Sequence, residues 1–194
     1  IFKIDISQFI DTDPFVFNSN WDDVVTQILS TNANPKGIIL DLRNNPGGYV
    51  YSVRYVAEEF LENGEIIMME ETRQADRQVY KDFRKGRLES VALVVLINEG
   101  SASASEIFAA AMQDNQRAEI LGMPSVGKGV EQEVISDLHG GGTLILPFQK
   151  WLTPAGNNIS GDSPIEPDKI VDLDIERFQK EKYDSQMEAA LEAL

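Results

Sequence analysis

Val91-Ala92-Leu93-Val94-Val95-Leu96-Ile97, running through Asn98-Glu99 into Gly100-Ser101-Ala102-Ser103-Ala104-Ser105-Glu106-Ile107-Phe108, is the stretch from which the fold can be read. The first seven residues are almost wholly apolar, which suits a central strand covered on both faces. Beyond the small-residue turn, Ile107, Phe108, Ala111 and Met112 recur at helical spacing. A buried strand that ends in a turn opening a helix sets a side chain at the rim of a sheet. There the first helical N–H groups lack partners and the helix dipole is positive, so a developing oxyanion is well served. Ser103-Ala104-Ser105-Glu106 is also a capping box, with Ser at the N-cap and Glu three residues on, and that reading requires no chemistry.

Toward the N-terminus, Phe2, Ile4 and Ile6 alternate with Lys3 and Asp5 as in a strand with one wet face. A helix follows, capped by Asn18 or Ser19, with Trp21, Val24, Val25, Ile28 and Leu29 on one stripe, before Asn34-Pro35-Lys36-Gly37 breaks it. Ile38-Ile39-Leu40 reads as a second buried strand. It runs into Asp41-Leu42-Arg43-Asn44-Asn45-Pro46-Gly47-Gly48, where two glycines permit backbone angles closed to other residues and expose N–H groups. Val53, Val56, Ala57, Phe60 and Leu61 form the next helical face, ended by Gly64. The order is strand, helix, strand, helix, so the chain predicts an α/β fold. Residues 65–90 read as a polar, hairpin-like excursion outside the core.

Toward the C-terminus, shorter strands are expected over Ala118 to Leu121, Val130 to Ser136 and Thr143 to Phe148, with His139-Gly140-Gly141-Gly142 as a solvent-facing turn. Residues 184–194 form an Ala- and Glu-rich amphipathic helix with Met187, Leu191 and Leu194 on one side. That helix suits the pairing of subunits or packing on its own core, and the oligomeric state is left open.

Composition narrows the function. At 194 residues the chain fits one domain and can bury about two-thirds of its unfolded surface. Lys and Arg total 17 against 32 Asp and Glu, a formal charge of −15, with no basic stripe, so nucleic acid is excluded as a partner. Cysteine is absent, which removes disulfides, thiolate catalysis and zinc-thiolate sites. No apolar run approaches the ~20 residues needed to span a bilayer. The chain starts at Ile1 without the signature of a signal peptide, as an excised piece of a longer protein would.

A second motif supplies a base. Gly127-Lys128-Gly129-Val130-Glu131-Gln132 follows the serine turn after a short interval. With Ser103 as nucleophile and Lys128 as the group taking its proton, the pair fits a serine–lysine variant of nucleophile-plus-base catalysis. Lys128 must then be neutral near pH 7, which means a pKa about 3 units below its ordinary ~10.4, a difference of roughly 4 kcal/mol. Burial among apolar groups would achieve that, and the uncharged Gln132 would orient the amine by hydrogen bonding. Gly47 and Gly48 offer a second N–H donor beside the serine turn. A competing reading is a phosphate-binding loop over Gly122 to Lys128, opposed by Gly129 where a hydroxyl would hold magnesium and by Pro124 within the run of donors. His139, the only histidine, is not needed by the dyad.

Ile6-Ser7-Gln8-Phe9, Gly37 to Gly48, Gly100 to Asp114, Arg117-Ala118, Gly127 to Gln132, Thr153-Pro154-Ala155-Gly156 and Ile165-Glu166-Pro167-Asp168 together resemble the carboxy-terminal processing, or tail-specific, proteases of the S41 peptidases. The resemblance covers nearly the whole chain. It implies a crotonase/ClpP-like α/β core of mixed sheet and helices, with the family's usual PDZ domain absent from this chain. It makes Ser103 the nucleophile, Lys128 the general base and Gln132 the residue positioning the lysine. The amide of Ala104 and one from Gly47 or Gly48 become the oxyanion hole, and Glu106 and Asp114 support the site. No metal and no cofactor is implied. The substrates implied are extended or unfolded polypeptides cut near their C-termini, the location is extracytoplasmic (periplasm or cell envelope), and a PDZ domain or adaptor would act upstream or in trans. Met123-Pro124-Ser125 departs from the family's usual Glu-Pro-Thr. The alternative is a catalytically silent scaffold that binds protein tails without cutting them.

Overall fold

A computed structural model describes residues 1–11, 13–138 and 141–194. Two sheets are present. The first is wholly parallel, in the order β1 (Phe2–Asp5), β2 (Ile38–Asp41), β5 (Leu93–Ile97), β6 (Glu119–Gly122), β9 (Lys169–Ile170). The second is antiparallel, in the order β4 (Arg77–Lys81), β3 (Ile66–Glu71), β8 (Gly142–Leu152), β7 (Val130–Leu138). The α/β class expected from the sequence is the one observed.

Strand alternation explains how the parallel sheet is covered. Ile38, Leu40, Leu93, Val95, Ile97 and Ile120 point into the main core, where they meet α1 (Pro14–Thr31), α2 (Val50–Ala57) and α3 (Ala104–Asp114). The residues between them, Ile39, Val94, Leu96 and Leu121, point the other way and are capped by Ala189 and Ala190 of α5 (Ser185–Ala193). Each face is thus sealed by helices, as a continuously apolar parallel strand requires.

Several boundaries differ from the sequence reading. Helix α1 starts at Pro14, not after Asn18 or Ser19: Asp13 is the N-cap, its side chain accepting the Phe15 N–H at 2.7 Å, and proline at the first position is pre-set for a helix. The hairpin within 65–90 forms, but it is no excursion outside the core. Ile67 and Met68 are buried on β3, an inner strand of the second sheet rather than an edge, and Leu88 beyond the hairpin is buried as well. Helix α5 packs on its own core, with Gln186, Ala189 and Ala190 buried and Met187 and Leu194 of the expected face packed against the same cluster, while Leu191 of that face is exposed. Helix α4 (Ile175–Glu181) and the two-residue β9 had no reading in the sequence. Of the expected turn 139–142, His139 lies outside the described residues. No helix among the described residues is long and apolar enough to cross a membrane.

Candidate active site

Strands β2, β5 and β6 lie side by side and parallel, with Asp41 beside Leu96 and Ile97 beside Gly122. Their C-terminal ends therefore open on one edge of the sheet. The three segments that leave there carry, in turn, Gly47-Gly48, Ser103 and Lys128. Ligands of open parallel sheets are met at this edge, because the connections there are free of the strand ladder.

Ser103 is the N-cap of α3, only 8% exposed, with φ 59° and ψ −116°. A positive φ is uncommon for serine and persists only where the surroundings enforce it. One arm of the expected capping box is formed, from the Ser103 N–H to the Glu106 carboxylate at 2.7 Å. The Glu106 N–H goes to the Ser103 carbonyl at 2.9 Å, so the Ser103 hydroxyl holds no cap hydrogen bond.

Gly47 lies against this turn. A Cβ on it would sit 2.7 Å from both Ser103 Cβ and the Ala102 carbonyl oxygen, at φ +103°. The two turns therefore meet, and only glycine allows it. The Gly47 N–H is taken by Asn45 Oδ1 at 2.8 Å. Neither the Gly48 N–H nor the Ala104 N–H meets an acceptor among the described residues, so of the two glycines Gly48 has the open donor.

Glu106, 1% exposed, binds four donors. Its Oε2 accepts the N–H of Ser103 at 2.7 Å and of Lys128 at 2.8 Å, and its Oε1 accepts the Gly127 N–H at 2.6 Å and the Ser125 hydroxyl at 2.5 Å. The serine turn and the lysine segment thus share one carboxylate. Val126 N–H to Ser101 O at 3.0 Å, and Trp151 N–H to Gly129 O at 2.9 Å, pin the segment on either side. Gly127 and Gly129 press against the backbone of Ser160 and Ile159, where a Cβ would come within 2.0 Å of a carbonyl oxygen.

The lysine side chain departs from expectation. Lys128 is exposed rather than buried among apolar groups, and its amine has no ion-pair or hydrogen-bond partner among the described residues. The Glu106 contacts fix its backbone and leave its four-carbon stem free. Gln132 is exposed on β7, opposite Pro147 beside a bulge, without a described contact to Lys128. Asp114 stands at the far end of α3, roughly 15 Å along the helix from its start, and accepts the Ala155 N–H at 2.8 Å, holding the Thr153–Gly156 turn.

The phosphate-loop reading fails on the same geometry. The N–H groups of Gly127 and Lys128 face a carboxylate of the protein's own, and those of Ser125 and Val126 are spent on Ile165 and Ser101 carbonyls. A phosphate would find no free backbone donor over residues 125–128. Among the described residues no acidic or histidine cluster could hold a metal ion.

Sequence reasoning missed Asn45 and Ser125. Asn two residues before a glycine is an Asx-turn signal and marked Asn45. Ser125, whose hydroxyl binds Glu106 and accepts the Ile165 N–H at 2.9 Å, had no local signal.

The family model for peptidase family S41 matches residues 2–171. A carboxy-terminal-processing protease of Bartonella bacilliformis is 44% identical over 138 residues, 71% of this chain and 31% of that protein. A probable CtpA-like serine protease of Staphylococcus haemolyticus is 35% identical over 134 residues, 69% of this chain and 27% of that one. The chain therefore spans about a third of the length of these relatives or less. Among solved structures, a photosystem II D1 C-terminal processing protease superposes with a TM-score of 0.76 at 29% identity, over 88% of this chain and 42% of that one. A peptidase from Parabacteroides merdae shares the fold, with a TM-score of 0.78 at 20% identity, over 98% of this chain and 60% of that one.

Proposed function

The chain belongs to peptidase family S41, and from that premise we propose that it is a serine endopeptidase acting through a Ser103–Lys128 dyad on extended or unfolded polypeptides near their C-termini. The observation that carries the reading is the shared Glu106 Oε2, which brings the backbones of Ser103 and Lys128 to one atom.

In the proposed reaction Ser103 Oγ attacks the scissile carbonyl carbon as its proton passes to a neutral Lys128 Nζ. The oxyanion is met by the N–H groups of Ala104 and Gly48, with the positive end of α3 behind the first. The intermediate collapses, the C–N bond breaks, and the leaving amine takes the proton from Lys128. Water then attacks the acyl-enzyme and gives a proton to Lys128; the bond from the acyl carbon to Ser103 Oγ breaks, the carboxyl product leaves, and the proton returns from Lys128 to Ser103 Oγ. A polypeptide laid over the strand-end edge would cover the Lys128 amine, and the free stem lets it swing toward Ser103. Gln132 orients the amine in that closed arrangement, and Asp114 supports the site through the far end of α3.

The exposed amine is the one observation that favours the second reading, a silent scaffold that binds tails. Hydrolysis of an unfolded protein separates the two. Wild type should cut, and Ser103→Ala and Lys128→Ala should not. Intact substrate with all three proteins would leave only the scaffold. An extracytoplasmic location, and a PDZ domain or adaptor supplying tail recognition upstream or in trans, are proposed with the activity.

A further inference from the structure

Asn45 is fully buried, and its polar groups join three parts of the chain. Its Nδ2 donates to the Ile6 carbonyl, beyond β1, at 2.6 Å, and its Oδ1 accepts the Gly47 N–H at 2.8 Å. Its backbone carbonyl accepts the Ala102 N–H and the Ser105 hydroxyl, both at 3.0 Å. Its N–H donates to the Leu42 carbonyl at 3.1 Å. One residue thus ties β1, the glycine turn and the serine turn.

The glycines need such a tie. At φ +103° and +147°, Gly47 and Gly48 occupy a region with no side chain to hold them in one conformation. Their geometry must be imposed by partners. The Gly47 N–H is held by Asn45 and its carbonyl by the Phe9 N–H at 2.8 Å, which leaves the Gly48 N–H as the donor without an acceptor among the described residues. We propose that Asn45 is a positioning residue: it sets the Gly47-Gly48 turn against the Ser103 turn, so that the Gly48 and Ala104 N–H groups converge on one oxyanion. This rests on the protease reading above. Asparagine suits the task because one planar group presents a donor and an acceptor in opposite directions, which aspartate and alanine cannot do.

The test uses Asn45→Ala, which removes both side-chain bonds, and Ser105→Ala, which removes one bond to the Asn45 carbonyl. Each is assayed on an unfolded protein at a temperature where circular dichroism shows it folded, and titrated with a peptide boronic acid that mimics the tetrahedral adduct. Displacing one oxyanion donor should lower kcat about 100-fold in Asn45→Ala and about 3- to 10-fold in Ser105→Ala, with KM within about 3-fold of wild type. Boronate affinity should fall in parallel with kcat/KM. Should Asn45→Ala not fold, Ser105→Ala carries the test. Wild-type kcat in the folded variants, or a rise in KM alone, overturns the proposal while Ser103-dependent hydrolysis by wild type leaves the protease reading standing. Absence of that hydrolysis overturns both.

Discussion

The Glu106 carboxylate accepts the backbone N–H of Lys128 with the same oxygen that accepts the N–H of Ser103, at 2.8 and 2.7 Å. A single buried anion, lodged at the start of α3, thereby sets the separation of the nucleophile-bearing turn from the segment of the base. It does so through the backbone N–H, and the lysine amine has no ion-pair partner among the described residues.

Glu106→Gln tests that anchor. A carboxylate only accepts, whereas the amide NH2 would face at least one N–H or hydroxyl donor whichever way it turned. One buried donor left unpaired costs about 2 kcal/mol, so the melting temperature should drop by roughly 4–8 °C. Hydrolysis should fall by at least tenfold, because both halves of the dyad lose their common reference. A melting temperature and turnover equal to wild type would show that the shared oxygen has no such role.

Gly47→Ala should be severe. The added methyl meets Ser103 Cβ and the Ala102 carbonyl at 2.7 Å, in a backbone conformation that alanine avoids. Strain and overpacking together should remove about 3 kcal/mol of stability, read by urea denaturation, and activity should be lost even where the protein remains folded. Full turnover in this variant would mean that the two turns need not touch.

Lys128→Met separates exposure from chemistry. Were the amine buried in the resting protein, its removal would stabilise the fold. Because it is exposed, the substitution should change stability by no more than about 0.5 kcal/mol while abolishing hydrolysis. Differential scanning calorimetry beside an activity assay decides it. A large stabilisation at pH 7 would indicate a buried resting amine.

Asp82 gives a pH signature away from the site. Burial pushes its carboxyl up to about 6, with a smaller upward push from Glu58 against the downward pull of its Arg84 N–H contact, and its Oδ2 has no hydrogen-bond partner among the described residues. For a carboxyl raised on folding, stability is greatest below its unfolded value near 4 and is lost as pH climbs through about 6. Asp82→Asn should therefore stabilise the protein at pH 7–8, by about 1 kcal/mol, and change little at pH 4. An equal effect at both pH values would contradict a raised carboxyl. Melting curves across pH 4–8 give the answer.

Much of the scaffold was legible locally. The apolar run ending at Ile97 announced a strand covered on both faces, and Ile38-Ile39-Leu40 announced a second buried strand. Boundaries failed where a stronger local signal lay a few residues away, as with Asp13-Pro14 ahead of Asn18. The 65–90 segment misled because a charged sequence was taken for a surface location, although Ile67 and Met68 face the core from an inner strand. Glu106 was legible from its spacing as half of a capping box, and from the resemblance as a support of the site. Its other three donors, the Ser125 hydroxyl and the N–H groups of Gly127 and Lys128, come from about twenty residues downstream, and spacing along the chain gives no sign of them.

By itself the sequence determined the class of fold, the two glycine- and serine-bearing turns and the residue types for a nucleophile and a base, since these follow from periodicity, backbone freedom and functional groups. The meeting of the turns, the duty of Asn45 and the exposure of Lys128 were decided only in three dimensions. Strands β2, β5 and β6 lie parallel and side by side, so residues far apart in the chain emerge on one edge. Which N–H groups remain free there depends on every partner the fold brings within hydrogen-bond reach.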